Sequence, residues 1–123
     1  MRESLKDYSS YIEGWRARSQ RERVENEKRR MQAVQDAKRI AVFLGKFKGV
    51  SKVVGIGSAF DPDRFHSRSD IDLVVMGMPP STFFLAHGRS MMITGFELDL
   101  ISYENSSTLF KQRVDEEGVQ LWP

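Results

Sequence analysis

The chain has 123 residues, enough for one hydrophobic core but not two. It contains no cysteine, which excludes disulfides and thiolate metal sites, and no apolar run approaches the roughly 20 residues that span a bilayer. A net charge of +2 hides an asymmetry: residues 1–48 carry 13 Lys/Arg against 7 Asp/Glu, whereas residues 49–123 carry 6 against 10.

Residues Met1 to Asp7 lack the apolar stretch of a signal peptide, so a cytoplasmic protein that enters no membrane is expected. Ser4 to Glu13 reads as a short helix, with Ser4 and Asp7 spaced like a capping box and Gly14 as a break. From Trp15 to Phe47 the composition is strongly helical and free of proline. Val24, Met31, Val34, Ala41, Leu44 and Phe47 form an apolar stripe suited to a partner protein or a second copy. Glu22, Glu25 and Glu27 interleave with the basic residues of 16–39, which favours a solvated helix face over nucleic-acid binding.

Gly45 and Gly49 mark the exit into a strand at 51–56, and a second strand is expected at 70–76. Ser81 caps a helix at 81–92, with Phe83 and Phe84 directed to the core. Strand 96–102, helix 105–116 and a terminal strand 119–122 complete the chain. Helices and strands alternate, so the class is α/β or α+β with a mixed sheet flanked by helices. The organisation expected is a helical extension over 1–48 and a core over 49–123, compact as one domain.

The chemistry concentrates in three carboxylates. Val53-Val54-Gly55-Ile56-Gly57-Ser58 is a strand breaking into a small-residue turn, which lets backbone approach phosphate and offers N–H and hydroxyl donors. Asp70 and Asp72, two apart at a strand start, project from one face, while Ile71, Leu73 and Val75 enter the core. Asp99 lies among apolar neighbours in Phe96-Glu97-Leu98-Asp99-Leu100-Ile101. Carboxylates buried in such surroundings need a compensating charge, and divalent metal supplies one. Metal held between carboxylates and a triphosphate is nucleotidyl transfer chemistry. His66 and His87 are isolated histidines and read as structural or solvent-facing.

The Gly57-Ser58 turn, the Asp70-Ile71-Asp72 strand and Asp99 on a neighbouring strand resemble the nucleotidyltransferase superfamily that includes DNA polymerase beta. The specific likeness is to its minimal, single-domain branch. The stretch from Arg64 to Leu73, the closing Glu117-Gly118-Val119-Gln120-Leu121-Trp122 and the amino-terminal Tyr11-Ile12-Glu13-Gly14-Trp15-Arg16 are similar to that group as well. The resemblance implies a polymerase-beta-like core and two Mg²⁺ ions held by Asp70, Asp72 and Asp99. It implies contacts to ATP or another NTP from Gly57, Ser58, Arg64, Arg68 and Ser69. Relatives of this kind pair with small helical HEPN proteins in toxin–antitoxin modules and add AMP to the toxin, so a HEPN-like partner is the acceptor implied. One departure stands out: the small–Arg–Gly turn usual after Gly-Ser is replaced by Ala59-Phe60-Asp61-Pro62-Asp63. Two other functions remain open, a non-catalytic binding module and a small-molecule nucleotidyltransferase.

Overall fold

The computed structural model describes residues 2–123, with side chains from Tyr8 onward. Helix α1 runs Arg2–Gly45 and leads to strand β1 (Lys52–Ile56), a single 3-10 turn at Ser58–Phe60 and strand β2 (Ile71–Met76). Helix α2 (Pro80–Met91), β3 (Leu98–Ser102), α3 (Thr108–Glu117) and β4 (Val119–Trp122) follow.

Helix α1 is one piece of 44 residues, continuous through Gly14 rather than broken there. A mid-helix glycine costs about 1 kcal/mol in propensity, too little to end a long helix. The expected cap of Ser4 with Asp7 lies outside the residues whose side chains are described. A helix of this length extends about 66 Å, whereas strands of five or six residues span only about 20 Å. Its C-terminal third therefore carries the packing: Ala33, Ala37, Ile40, Ala41 and Leu44 are fully buried. Val24 and Met31, expected on the apolar stripe, are about half exposed. The face turned to the sheet is built from alanines, which let the helix axis approach closely. Gly45 serves the same end, since a Cβ there would lie 2.2 Å from the Trp122 indole.

The sheet is mixed, as expected, with strand order β3-β2-β1-β4. Strand β1 runs antiparallel to both β2 and β4, and β2 is parallel to β3. That parallel pair needs a crossover, which α2 provides. Residues alternate between faces. Val53, Ile71, Leu73, Val75, Leu98 and Leu100 join the cluster with α1 and α2, while Val54 and Val74 meet Val114 of α3. Val74 is buried as fully as Leu73 and Val75, because helices cover both faces of β2.

Helix α2 starts at Pro80, with proline in its first turn and no side-chain cap, one residue before the Ser81 start expected. Only one of its two phenylalanines packs inward. Phe83 lies against the core, but Phe84 is 85% exposed; consecutive helical residues point about 100° apart, so one face cannot take both. Helix α3 begins at Thr108, where Ser107 accepts a hydrogen bond from the Phe110 N–H at 3.1 Å.

A buried carboxylate ties α1 to the turn before β3. Asp36 is 5% exposed and accepts from Thr94 Oγ1 at 2.7 Å, Gln32 Nε2 at 2.9 Å and the Arg39 guanidinium. Burial alone raises its pKa, but the donors from Thr94, Gln32 and Arg39 together outweigh that and hold the carboxyl below its ordinary value. Thr94 also accepts from the Phe96 N–H at 3.1 Å, fixing the entry into β3. Thr94→Val keeps the shape and removes both bonds, so it should destabilise the fold by about 1–3 kcal/mol in urea titrations at pH 7. A depressed pKa contributes stability above the unfolded value and loses it as pH falls through the folded one. The Thr94→Val deficit should therefore shrink below about pH 4.

Candidate active site

The end of β1 that leads into the Gly-Ser turn and the starts of β2 and β3 that carry the aspartates come together on one side of the sheet. Because β1 and β2 are antiparallel, the C-terminal end of β1 meets the N-terminal end of β2, with Ile56 opposite Asp72. Because β2 and β3 are parallel, Asp72 stands beside Asp99. Residues opposed in a ladder point to the same face, here the α3 face, about 5 Å apart in the strand-to-strand direction. Asp70 lies just before β2, outside the strand in which it was expected.

The Gly-Ser turn is bound to this arrangement sterically. Gly57 adopts φ 82°, ψ −164°, a region essentially closed to side-chain-bearing residues. A Cβ on Gly57 would lie 2.7 Å from Asp72 Oδ2. The glycine thus permits both the turn and the seating of the carboxylate against its backbone. Ser58, half-buried, opens the 3-10 turn that follows.

Asp72 is half-buried, whereas Asp70 and Asp99 are exposed, contrary to the deep burial that the apolar context of Asp99 suggested. The strand ends stop short of the helical cover, which leaves these carboxylates at the rim. No ion pair among the described residues reaches any of the three. Burial, then the charges of Asp99 and Asp70, push the Asp72 carboxyl above its ordinary value. Unpaired, hard carboxylate oxygens fit Mg²⁺, which binds one or two carboxylates and completes its shell with water and substrate phosphates. Asp72 and Asp99 are the pair placed to hold it, with Asp70 at the rim. The described residues do not by themselves close a cage of three ligands.

The segment joining the Gly-Ser turn to β2 distributes the remaining candidates. Asp61 Oδ1 accepts from the Asp63 N–H at 3.0 Å, and the Asp61 carbonyl accepts from the Arg64 and Phe65 N–H groups. Asp63 turns away from the Gly-Ser turn and lines a groove against α1 with Arg23 and Asn26. Ser69 is buried, and its hydroxyl accepts from the His66 N–H at 2.9 Å. His66 Nδ1 accepts from the Arg68 N–H at 3.1 Å, which leaves the Arg68 side chain exposed on the loop. His87 is structural: its Nε2 donates to the Leu98 carbonyl at 3.2 Å.

Two contributors were not legible in the sequence. Arg30 of α1, gripped by Glu27 at 2.7 and 3.0 Å, donates to the Ala59 carbonyl at 3.3 Å and so braces the 3-10 turn. Nothing in a basic helical run distinguishes the one arginine that faces a distant loop. A cavity of about 470 Å³ also opens beside Gly57, lined by Phe60, Asp61, Arg64, Phe110, Arg113 and Glu117 among others. Arg64 reaches it; Arg68 does not line it.

No protein-family profile matches the chain, and no curated protein sequence matches it. Solved structures share its fold. A chain of a toxin–antitoxin complex with AMP-PNP aligns with a TM-score of 0.58 at 22% identity, over 71% of this chain and 72% of that one. A chain of the MntA–HepT toxin–antitoxin complex gives 0.53 at 20% identity, over 72% and 70%. A chain of the complex between tri-AMPylated Shewanella oneidensis HEPN toxin and MNT antitoxin gives 0.53 at 21% identity, over 74% and 71%. The fold is therefore the one expected, a mixed sheet between helices as in chains of these toxin–antitoxin complexes. No helix among the described residues is long and apolar enough to cross a membrane.

The raised Asp72 pKa has a definite sign. A carboxyl whose folded pKa exceeds its unfolded value costs stability as pH rises through that window. Asp72→Asn should therefore raise the melting temperature of the metal-free protein at pH 7, and the gain should vanish below about pH 4. Gly57→Ala should destabilise by about 1–3 kcal/mol in chemical denaturation, from its backbone conformation alone.

Proposed function

We propose that the chain is a Mg²⁺-dependent nucleotidyltransferase that moves a nucleoside monophosphate, AMP in the first instance, from an NTP to a hydroxyl of a HEPN-like partner protein. The observation that carries this reading is the placement of Asp72 beside Asp99, with Gly57 backed against the Asp72 carboxylate. That arrangement sets two unpaired carboxylates next to a turn whose backbone is open to phosphate. The shared fold supports the reading, since the solved complexes include AMP-PNP in one case and an AMPylated toxin in another.

In this reaction an acceptor oxygen attacks the α-phosphorus in line, the bond to the bridging oxygen of the β-phosphate breaks, and pyrophosphate leaves. Asp70, Asp72 and Asp99 hold the cation side of the site, and Asp99, the more exposed member of the strand pair, takes the acceptor proton. Mg²⁺, when bound, neutralises phosphate charge and lowers the pKa of the attacking hydroxyl. Gly57 and Ser58 steer the phosphates through backbone and hydroxyl donors, with Arg64 beside them and Arg68 and Ser69 on the following loop. The HEPN-like partner supplies the acceptor surface.

A second reading, a nucleotidyltransferase-like module that binds without turnover, draws on the Asp61-Pro62-Asp63 segment, which places the Asp61 carboxylate on the cavity wall where phosphate would lie. Incubation with α-phosphate-labelled NTPs, Mg²⁺ and lysate of the source organism separates the two. Label should move to a protein acceptor with the wild-type chain and fall at least about 100-fold with Asp72→Asn, the scale of losing a positioned catalytic group. Equal labelling by the variant would remove Asp72 from the chemistry. Absence of labelling alongside a working control transferase would favour the binding module.

A further inference from the structure

The cavity beside Gly57 contains a residue for which no role has yet been given. Its walls come from the end of β1, the segment around the 3-10 turn and α3, and two of its lining side chains are cationic. Arg64 enters from the loop, and Arg113 enters from α3, a helix that contributes no aspartate. The cavity touches Gly57 directly, and Gly57 touches Asp72, so Asp72, glycine and cavity form one continuous path.

We propose that Arg113, together with Arg64, holds the β- and γ-phosphates of the nucleoside triphosphate in this cavity. The inference rests on the nucleotidyltransferase reading and deepens it. Gly57 lies between the Asp72 carboxylate and the cavity, so a polyphosphate whose α-phosphate sits at Asp72 and Asp99 has a direct path past Gly57 into it. The turn after Gly57-Ser58 contains no arginine of its own, having Ala59, Phe60 and Asp61 instead. Positive charge at that end therefore has to come from elsewhere, and Arg113 and Arg64 are the two guanidinium groups on the cavity wall. A guanidinium suits this task through its fork of donors, which grips phosphate oxygens in pairs.

Two carboxylates share this wall with the arginines. Asp61 is engaged by the Asp63 N–H. Glu117 lies 4.0 Å from Arg113, with both side chains about two-thirds exposed, a pairing loose enough for phosphate to displace. Phe60 and Phe110 provide apolar wall beside the charged groups.

Equilibrium binding of ATP, pyrophosphate and AMP to the full chain in Mg²⁺, by calorimetry, tests this without turnover. Arg113→Ala should weaken ATP and pyrophosphate about 10-fold, the scale of one lost charge-assisted contact, and change AMP less than about 2-fold. Arg113→Lys, which keeps charge but loses the fork, should fall between. Glu117→Gln should strengthen ATP binding, since a competitor for Arg113 is gone. Arg113 is exposed, so an unchanged thermal melt of the variant is expected and verifies its fold. Unaltered ATP affinity in Arg113→Ala overturns the inference while leaving the nucleotidyltransferase reading in place. An equal loss for ATP and AMP overturns it as well, and moves the residue toward the nucleoside. Absence of any nucleotide binding by the wild-type chain brings down both.

Discussion

The contact between the Gly57 backbone and the Asp72 carboxylate is the constraint around which this molecule is arranged. It follows from the antiparallel register that sets Ile56 opposite Asp72, and it tolerates no side chain at position 57. Everything assigned to the site lies within one step of it. Asp99 joins through the parallel ladder, the 3-10 turn follows from the glycine's dihedral angles, and the cavity begins at its far side. An electrostatic cost accompanies this geometry, since Asp72 is partly withdrawn from water and faces two like charges. None of the ion pairs among the described residues offsets that cost.

Much of the architecture was legible because period and punctuation are local signals. Strand β4 falls where the preceding glycine puts it, and β1, β2 and β3 lie within one or two residues of their expected bounds. The mixed sheet followed from alternation of elements. Misreadings arose where local pattern competes with tertiary geometry. Gly14 looked like a break, but a lone glycine is only a weak penalty on so long a helix. Val24 and Met31, expected on an apolar stripe open to a partner, are about half exposed, because the sheet is too short to reach them. Phe84 looked like core, although helical geometry allows α2 to bury only its neighbour.

Of the site, the residue types were legible and the companions were not. The Gly-Ser turn and the aspartate spacing announce themselves within single segments. Arg30 and Arg113 do not, since each sits in an ordinary charged helix and acquires meaning only by facing a segment distant in sequence. The Asp36 network is the same case: its carboxylate looks like any other on a basic helix until Thr94, 58 positions later, is folded onto it. The exposure of Asp99 was likewise invisible, because apolar neighbours in a strand report on the opposite face, not on its own.

Strand β4 has a further consequence, for the order in which the molecule is assembled. It occupies the free edge of β1, and its Trp122 packs against Gly45 at the end of α1. On a ribosome, the first helix and three strands would be synthesised while that edge still lay bare. The nascent chain therefore carries an unpaired strand edge from the synthesis of β1 until β4 follows, a period in which another chain could pair with it.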